Sequence, residues 1–170
     1  TKIIDLSNEF RLQNDQHFLR KSYVYGLPEF QKQKIQSAQA VANPGCFATA
    51  IQLALLPLAK EGLLQNDVQV HAITGSTGAG VKPSATSHFS WRNNNVSWYK
   101  PFTHQHLGEI GETLQALQPN IPEINFLPIR GNFTRGIFAS VYTTFDGDVD
   151  DAYSLYEQFY ANSSFTHISK

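Results

Sequence analysis

The sequence predicts an α+β sheet domain, and three observations carry that expectation. Apolar and polar residues alternate with period two at 67–74 and 136–145, the mark of half-buried strands. Apolar residues recur at helical spacing after Cys46 and again over 107–117. Strands rich in Phe and Tyr are interspersed with the helices, which together describe an α+β architecture. With 170 residues, 41% hydrophobic and 16% charged, the chain has the apolar material for a core and too little charge for disorder.

In order along the chain, residues 1–6 read as a strand. Residues 7–34 are polar and aromatic, with a turn at Tyr25-Gly26-Leu27-Pro28. Ala38 to Ala42 is a short strand that runs into Asn43-Pro44-Gly45. Phe47, Ala50, Ile51, Ala54, Leu55 and Leu58 then follow helical spacing; Pro57 should loosen that helix and Gly62 should stop it. Val68, Val70 and Ala72 alternate with polar residues, so 67–74 is a strand that leads into the glycine-rich loop Gly75 to Gly80. Residues 81–103 look irregular. Leu107, Ile110, Leu114 and Leu117 share one helical face, and Pro119 and Pro122 break the chain after it. Ile124 to Ile129 is a strand interrupted by Pro128. Gly136 to Phe145 is the clearest strand, with Ile137, Ala139, Val141 and Phe145 on one face and Phe138, Ser140 and Tyr142 on the other. Asp146-Gly147 turns the chain into a last helix over 149–160.

Composition excludes several function classes. A net charge of -1 does not steer the chain onto nucleic acid or an anionic membrane. No apolar run approaches the roughly 18 residues of a membrane span, and no basic stretch leads into a short apolar one as in a secretory signal. One Cys forms no internal disulfide, and a lone thiol suits a reducing cytosol. The chain holds no Met, and both ends read as cuts from a longer one. Lys2 to Leu6 enters a strand without a turn, and Phe165 to Lys170 stops without a closing element.

The candidate chemistry begins at Cys46, which opens a helix after Asn43-Pro44-Gly45. A thiol there faces unpaired backbone N–H groups and the positive end of the helix dipole, both of which favour the reactive thiolate. The same N–H groups suit an oxyanion at a carbonyl attacked by the sulfur. A lone Cys is equally a small buried hydrophobe. A nucleophilic Cys needs a base, and His104 and His106 lie together in Thr103-His104-Gln105-His106 before a helix. No acidic or Cys partner stands at ligand spacing from them, which argues against a metal; a surface His pair without a role is the plain alternative. The loop Gly75-Ser76-Thr77-Gly78-Ala79-Gly80 lets a backbone approach a ligand closely. Its spacing matches neither the dinucleotide fingerprint nor the phosphate-binding loop. Arg135 at a strand mouth can fork to a carboxylate or phosphate, or simply be solvated.

In this order the motifs are informative together. Asn43 to Thr49, Gly75 to Gly80, His104-Gln105-His106-Leu107-Gly108-Glu109-Ile110, Phe126-Leu127-Pro128 and Thr134-Arg135-Gly136 resemble the N-acetyl-gamma-glutamyl-phosphate reductase family of the semialdehyde dehydrogenase group. Ile4-Asp5-Leu6-Ser7 with Phe10-Arg11, and Tyr25 to Glu29, are similar to it as well. The resemblance implies a mixed, largely antiparallel sheet with helices packed on one face. It implies NADPH-dependent reduction of N-acetyl-glutamyl 5-phosphate to the semialdehyde, in arginine biosynthesis, through a thioester on Cys46 with His104 or His106 as the acid/base. It further implies nicotinamide contact at Gly75, Ser76, Thr77, Gly78, Ala79 and Gly80, and substrate contact at Asn43, Arg135 and Arg11, with Lys82 a further anion contact. The implied enzyme is a cytoplasmic homo-oligomer whose partner is a small acyl phosphate, with no nucleic acid or membrane. Gly108 departs from the family's usual Pro, which bears on the helix start. The family's Rossmann fingerprint is absent, so residues 1–170 are expected to be the catalytic and dimerising domain, with 1–6 the tail of a nucleotide-binding domain. Aspartate-semialdehyde dehydrogenase, a Cys–His acyl transferase or hydrolase, and a non-catalytic interaction domain are the competing readings.

Overall fold

A computed structural model describes all residues, Thr1–Lys170. The chain builds two sheets. The first contains β1 (Ile3–Asp5), β2 (His17–Phe18), β3 (Lys21–Tyr25) and β4 (Ala40–Ala42), in the order β1-β4-β3-β2. β1 and β3 both run parallel to β4, while β2 returns antiparallel on β3. α1 (Pro28–Ser37) connects β3 to β4, and α2 (Cys46–Lys60) leaves the end of β4.

The second sheet contains β5 (Val68–Thr74), β6 (Ser97–Trp98), β7 (Ile124–Arg130) and β8 (Ile137–Tyr142), in the order β6-β7-β5-β8. β7 is parallel to β5, and β6 and β8 are antiparallel to their neighbours. Both sheets are therefore mixed, as expected, but antiparallel pairing does not dominate. The longest ladder, β5 on β7, is parallel because the chain crosses over through α3 (Phe89–Arg92), β6 and α4 (His106–Gln115) between them. α5 (Val149–Tyr160) follows β8.

Register fixes which side of the second sheet is buried. Val70 faces Phe126 on β7 and Val141 on β8, and Val68, Val70, Ala72 and Phe126 have no contact with solvent. α2 lies on this face and supplies Phe47, Ile51, Leu55 and Leu56 to the same core, with Ile110 and Leu114 of α4. The opposite face carries His71, Phe138 and Tyr142 toward solvent. Helices therefore cover one face only.

α2 is apolar nearly all round, which is why it becomes the central helix. Gly62 ends it with φ of 69° and the Leu63 N–H reaches back to the Leu58 carbonyl, as a helix-stopping glycine should. Pro57 lies inside the helix. Lacking an N–H, it leaves the Leu53 carbonyl without its usual partner four residues on. The Tyr160 hydroxyl donates to that carbonyl, and the Tyr156 hydroxyl donates to Ala54. These two Tyr stand one turn apart on α5, so one helix face repairs the defect in another.

Two segments carry more structure than the sequence announces. Residues 7–34 contain β2, β3 and most of α1, and residues 81–103 contain a 3-10 turn at Ala85–Ser87, α3 and β6. The strand read over 136–145 narrows to Ile137–Tyr142, because Gly136 takes φ of 100° and the chain turns away after Tyr142.

Candidate functional site

β5 and β7, being parallel, end on the same edge, and the chain gathers its polar loops there. The loop after β5, the last residue of β7, the end of β4 and the start of α4 all line one cavity of about 580 Å³. Ligands of open sheets with parallel strands bind in crevices at such carboxyl ends.

Cys46 sits on this cavity as an exposed thiol and is the first residue of α2. Gly45 is the N-cap and no side chain caps the helix, so its leading N–H groups remain available to an anion. The Gly45 amide is not among them: it donates to Glu109 Oε2 at 2.8 Å.

His104 and His106 line the same cavity and are both buried. Their rings meet edge to face at 4.5 Å, and the His104 ring is walled by Phe47, Phe126 and Tyr99. His104 Nδ1 accepts the His106 backbone N–H at 3.2 Å, which assigns its own proton to Nε2. His106 packs on Gly45: a Cβ at residue 45 would come within 2.6 Å of the ring's Cδ2. Its Nδ1 is buried without a partner. Burial pushes the His104 pKa down to about 4, helped by His106, Lys100 and Arg130 and opposed by Glu109. Burial, Arg11 and Lys100 push His106 down to about 4 as well. Both imidazoles are neutral at neutral pH, the state that takes a proton from a thiol.

The lining holds four cationic side chains, Arg11, Arg92, Lys100 and Arg130, and no carboxylate. Arg130 lies over the Tyr99 ring at 4.6 Å. Arg92 is spent on structure: it donates to the carbonyls of Thr86, Asn95 and Arg130 and to the Ser97 hydroxyl. Arg11 Nη1 donates to Glu109 Oε1 at 3.1 Å. A recess with this charge attracts an anionic ligand.

The other residues singled out in the sequence divide. Asn43, Gly78 and Ala79 line the cavity. Gly75, Ser76, Thr77 and Gly80 do not: the amides of Gly75, Ser76 and Thr77 donate to the carbonyls of Gly136, Phe133 and Thr134, which ties the loop to the turn between β7 and β8. Arg135 and Lys82 are exposed and outside the cavity lining. Sequence reasoning missed Arg130, which ends a strand rather than opening one. It also missed Glu109, whose signal was available: His106, Glu109, Ile110, Thr113 and Leu114 share one buried helix face, and a carboxylate in that stripe needs partners. No group of three His, Cys, Asp or Glu side chains that could hold a metal ion is gathered.

A cysteine at a helix start, paired imidazoles and a cationic recess, on a mixed sheet open on one face, define a class. The dimerisation domain of semialdehyde dehydrogenases matches residues 46–170, and the chain belongs to that family. It is 60% identical to the N-acetyl-gamma-glutamyl-phosphate reductase of Flavobacterium johnsoniae, over 99% of this chain and 52% of that protein. It is 58% identical to the protein of that name from Azobacteroides pseudotrichonymphae, over 99% of this chain and 51% of that one. The chain thus spans about half the length of the curated relatives it matches. Among solved structures it resembles the aspartate semialdehyde dehydrogenase of Francisella tularensis, with TM-score 0.65 and 13% identity over 92% of this chain and 55% of that one. A Candida albicans aspartate semialdehyde dehydrogenase solved with NADP matches with TM-score 0.54 and 8% identity, over 91% of this chain and 48% of that one.

Proposed function

We propose that this chain is the catalytic and subunit-joining part of an NADPH-dependent N-acetyl-gamma-glutamyl-phosphate reductase. One observation carries the reading: a thiol, two neutral imidazoles and a cationic lining without a carboxylate share one cavity. In the first half-reaction the Cys46 sulfur, its proton taken by a histidine, attacks the acyl carbonyl. The carbonyl oxygen becomes an oxyanion beside the free N–H groups of α2. Collapse breaks the C–O bond to phosphate, inorganic phosphate leaves, and a thioester remains on Cys46. In the second half, a nicotinamide held beside Gly78 and Ala79 would supply the hydride that the thioester carbonyl on Cys46 accepts. Breakage of the C–S bond then releases the aldehyde, and the imidazolium returns its proton. His106 is the better base, because His104 Nδ1 is already committed to the His106 amide.

The residues present fit the nicotinamide end of the cofactor. Gly78 and Ala79 lie on the Cys46 cavity, in a loop fastened by its neighbours. The chain carries no G-x-G-x-x-G run, so the dinucleotide's phosphates are held by the rest of the enzyme. The first sheet, parallel through β1, β4 and β3, ends just before the family match begins at residue 46. We assign all of it, and not only residues 1–6, to the nucleotide-binding domain. No helix is long and apolar enough to cross a membrane, and NADPH chemistry on an amino-acid precursor fits the cytoplasm.

Arg130 replaces Arg135 as the favoured substrate contact, since it reaches the cavity. In the full-length enzyme, Arg130→Lys raises the KM for the acyl phosphate by at least about tenfold, as expected for loss of a planar fork on an anion. Arg135→Lys leaves it within about twofold. The opposite ranking hands the contact back to Arg135. Turnover of a thioester without NADPH would favour a hydrolase or transferase over a reductase.

The uncovered sheet face is the surface that takes a second copy. Phe138 is 70% exposed, Trp98 65% and Tyr142 57%, and the family is described by dimerisation. Exposed aromatics gathered on one face mark such contacts. Phe138→Glu is expected to move the full-length enzyme to a smaller species in light scattering; an unchanged mass puts the interface elsewhere.

A further inference from the structure

The buried network behind the cavity centres on one carboxylate. Glu109 is only 4% exposed. Its Oε2 accepts the Gly45 amide at 2.8 Å and the Tyr25 hydroxyl at 2.9 Å. Its Oε1 accepts Arg11 Nη1 at 3.1 Å and stands 3.8 Å from His106 Nε2. Tyr25 is braced in turn by Gln52, whose amide donates to the Glu109 carbonyl and to Thr113.

The partners matter more than their number. Gly45 precedes the candidate nucleophile, His106 is the candidate base, and Arg11 lines the cavity. A buried carboxylate kept only for stability is weakly warranted, since apolar replacements are often as stable. This one joins the first sheet, the start of α2 and the start of α4 at the point where the chemistry is gathered.

Resting on the reductase reading, we propose that Glu109 is the positioning residue of this site. Its carboxylate holds the Gly45 amide on one oxygen and the Arg11 guanidinium on the other. It thereby fixes the direction in which α2 presents Cys46 and the seat of the His106 ring on Gly45. The same contact withdraws the Gly45 N–H from the oxyanion, leaving that task to the amides that follow it.

The test uses Glu109→Gln and Glu109→Asp in the full-length enzyme. Gln turns one acceptor into a donor facing a donor, so kcat is expected to fall about 100-fold, the scale of a misplaced reacting group. The KM for NADPH stays within about twofold. The charge also acts on His104, which faces His106, Lys100, Arg130 and Glu109 among the charged or titratable groups around it. Glu109 alone of these favours the imidazolium, so Gln moves the His104 ring midpoint further down. Asp keeps the charge and shortens the reach, so it retains the wild-type His104 midpoint while kcat stays low. A Gln variant with wild-type kcat, or one whose loss equals its loss of folded protein, overturns the proposal. If the wild-type enzyme reduces no acyl phosphate, the reductase reading fails by itself. The His104 ring titration, followed by NMR, still judges Glu109: an unmoved midpoint in the Gln variant overturns it.

Discussion

Replacing Cys46 by Ser in the full-length enzyme is expected to abolish acyl-phosphate reduction, by on the order of 10⁴-fold or more, as when other enzymes lose their nucleophile. The expectation rests on the sulfur's place. Cys46 is exposed to the cavity at the first residue of α2, where attack needs a thiolate and a serine hydroxyl does not ionise. Its exposure also means that removing the sulfur opens no hole in the core, whose nearest member, Phe47, stays in place. The melting temperature should therefore hold within about a degree or two, as for a surface change of a few tenths of a kcal/mol. The acyl-enzyme trapped when substrate is supplied without NADPH should vanish in the same variant. A Ser variant that still turns over removes Cys46 from the mechanism.

His106→Asn is expected to lower kcat by about 10²–10⁴-fold, the range of a lost acid/base group. His104→Asn should cost less, because that ring's Nδ1 is tied to the next backbone amide. The pair also sets a pH dependence whose sign can be worked out. Each ring titrates near 4 in the fold against an ordinary 6.5. Between those values the unfolded chain binds more protons. The stability contributed by the neutral rings is thus fully present above about 6.5 and is lost as pH falls toward 4. Chemical unfolding from pH 7 to 4 should show the decline, and the double Asn variant should flatten it. The acid limb of activity should likewise lie near 4 rather than in the usual histidine range. An acid limb at 6.5 would mean that the rings are solvated, contrary to their burial.

The long elements were legible because their partners are close in sequence or their periodicity is strong. α4, β5, β8 and α5 each show one apolar face, and α2 is apolar nearly all round. β3 was hidden because its inward residues are Tyr23 and Tyr25, which read as polar in a short run. α1 was hidden because it buries no residue at all. The nucleophile and the His pair stood out as residue types at telling positions. Arg130 did not, and the buried stripe that marks Glu109 does not name its partners, since the contacts run across 54 and 64 residues, to Ser76 and to Gly45. Spacing along a chain does not report such meetings.

The proline in α2 bears on the order in which the molecule is completed. The carbonyl it orphans at Leu53 is answered by a hydroxyl 107 residues later. At translation rates of about 5–20 residues per second, roughly 5–20 s separate the two. Throughout that interval the nascent helix leaves the Leu53 carbonyl to water, and its C-terminal half lacks the fastening that α5 supplies. The repair arrives with α5, after every strand of the sheet has been made. A chain still attached to the ribosome would therefore carry its nucleophile on a helix that is not yet fastened at the far end.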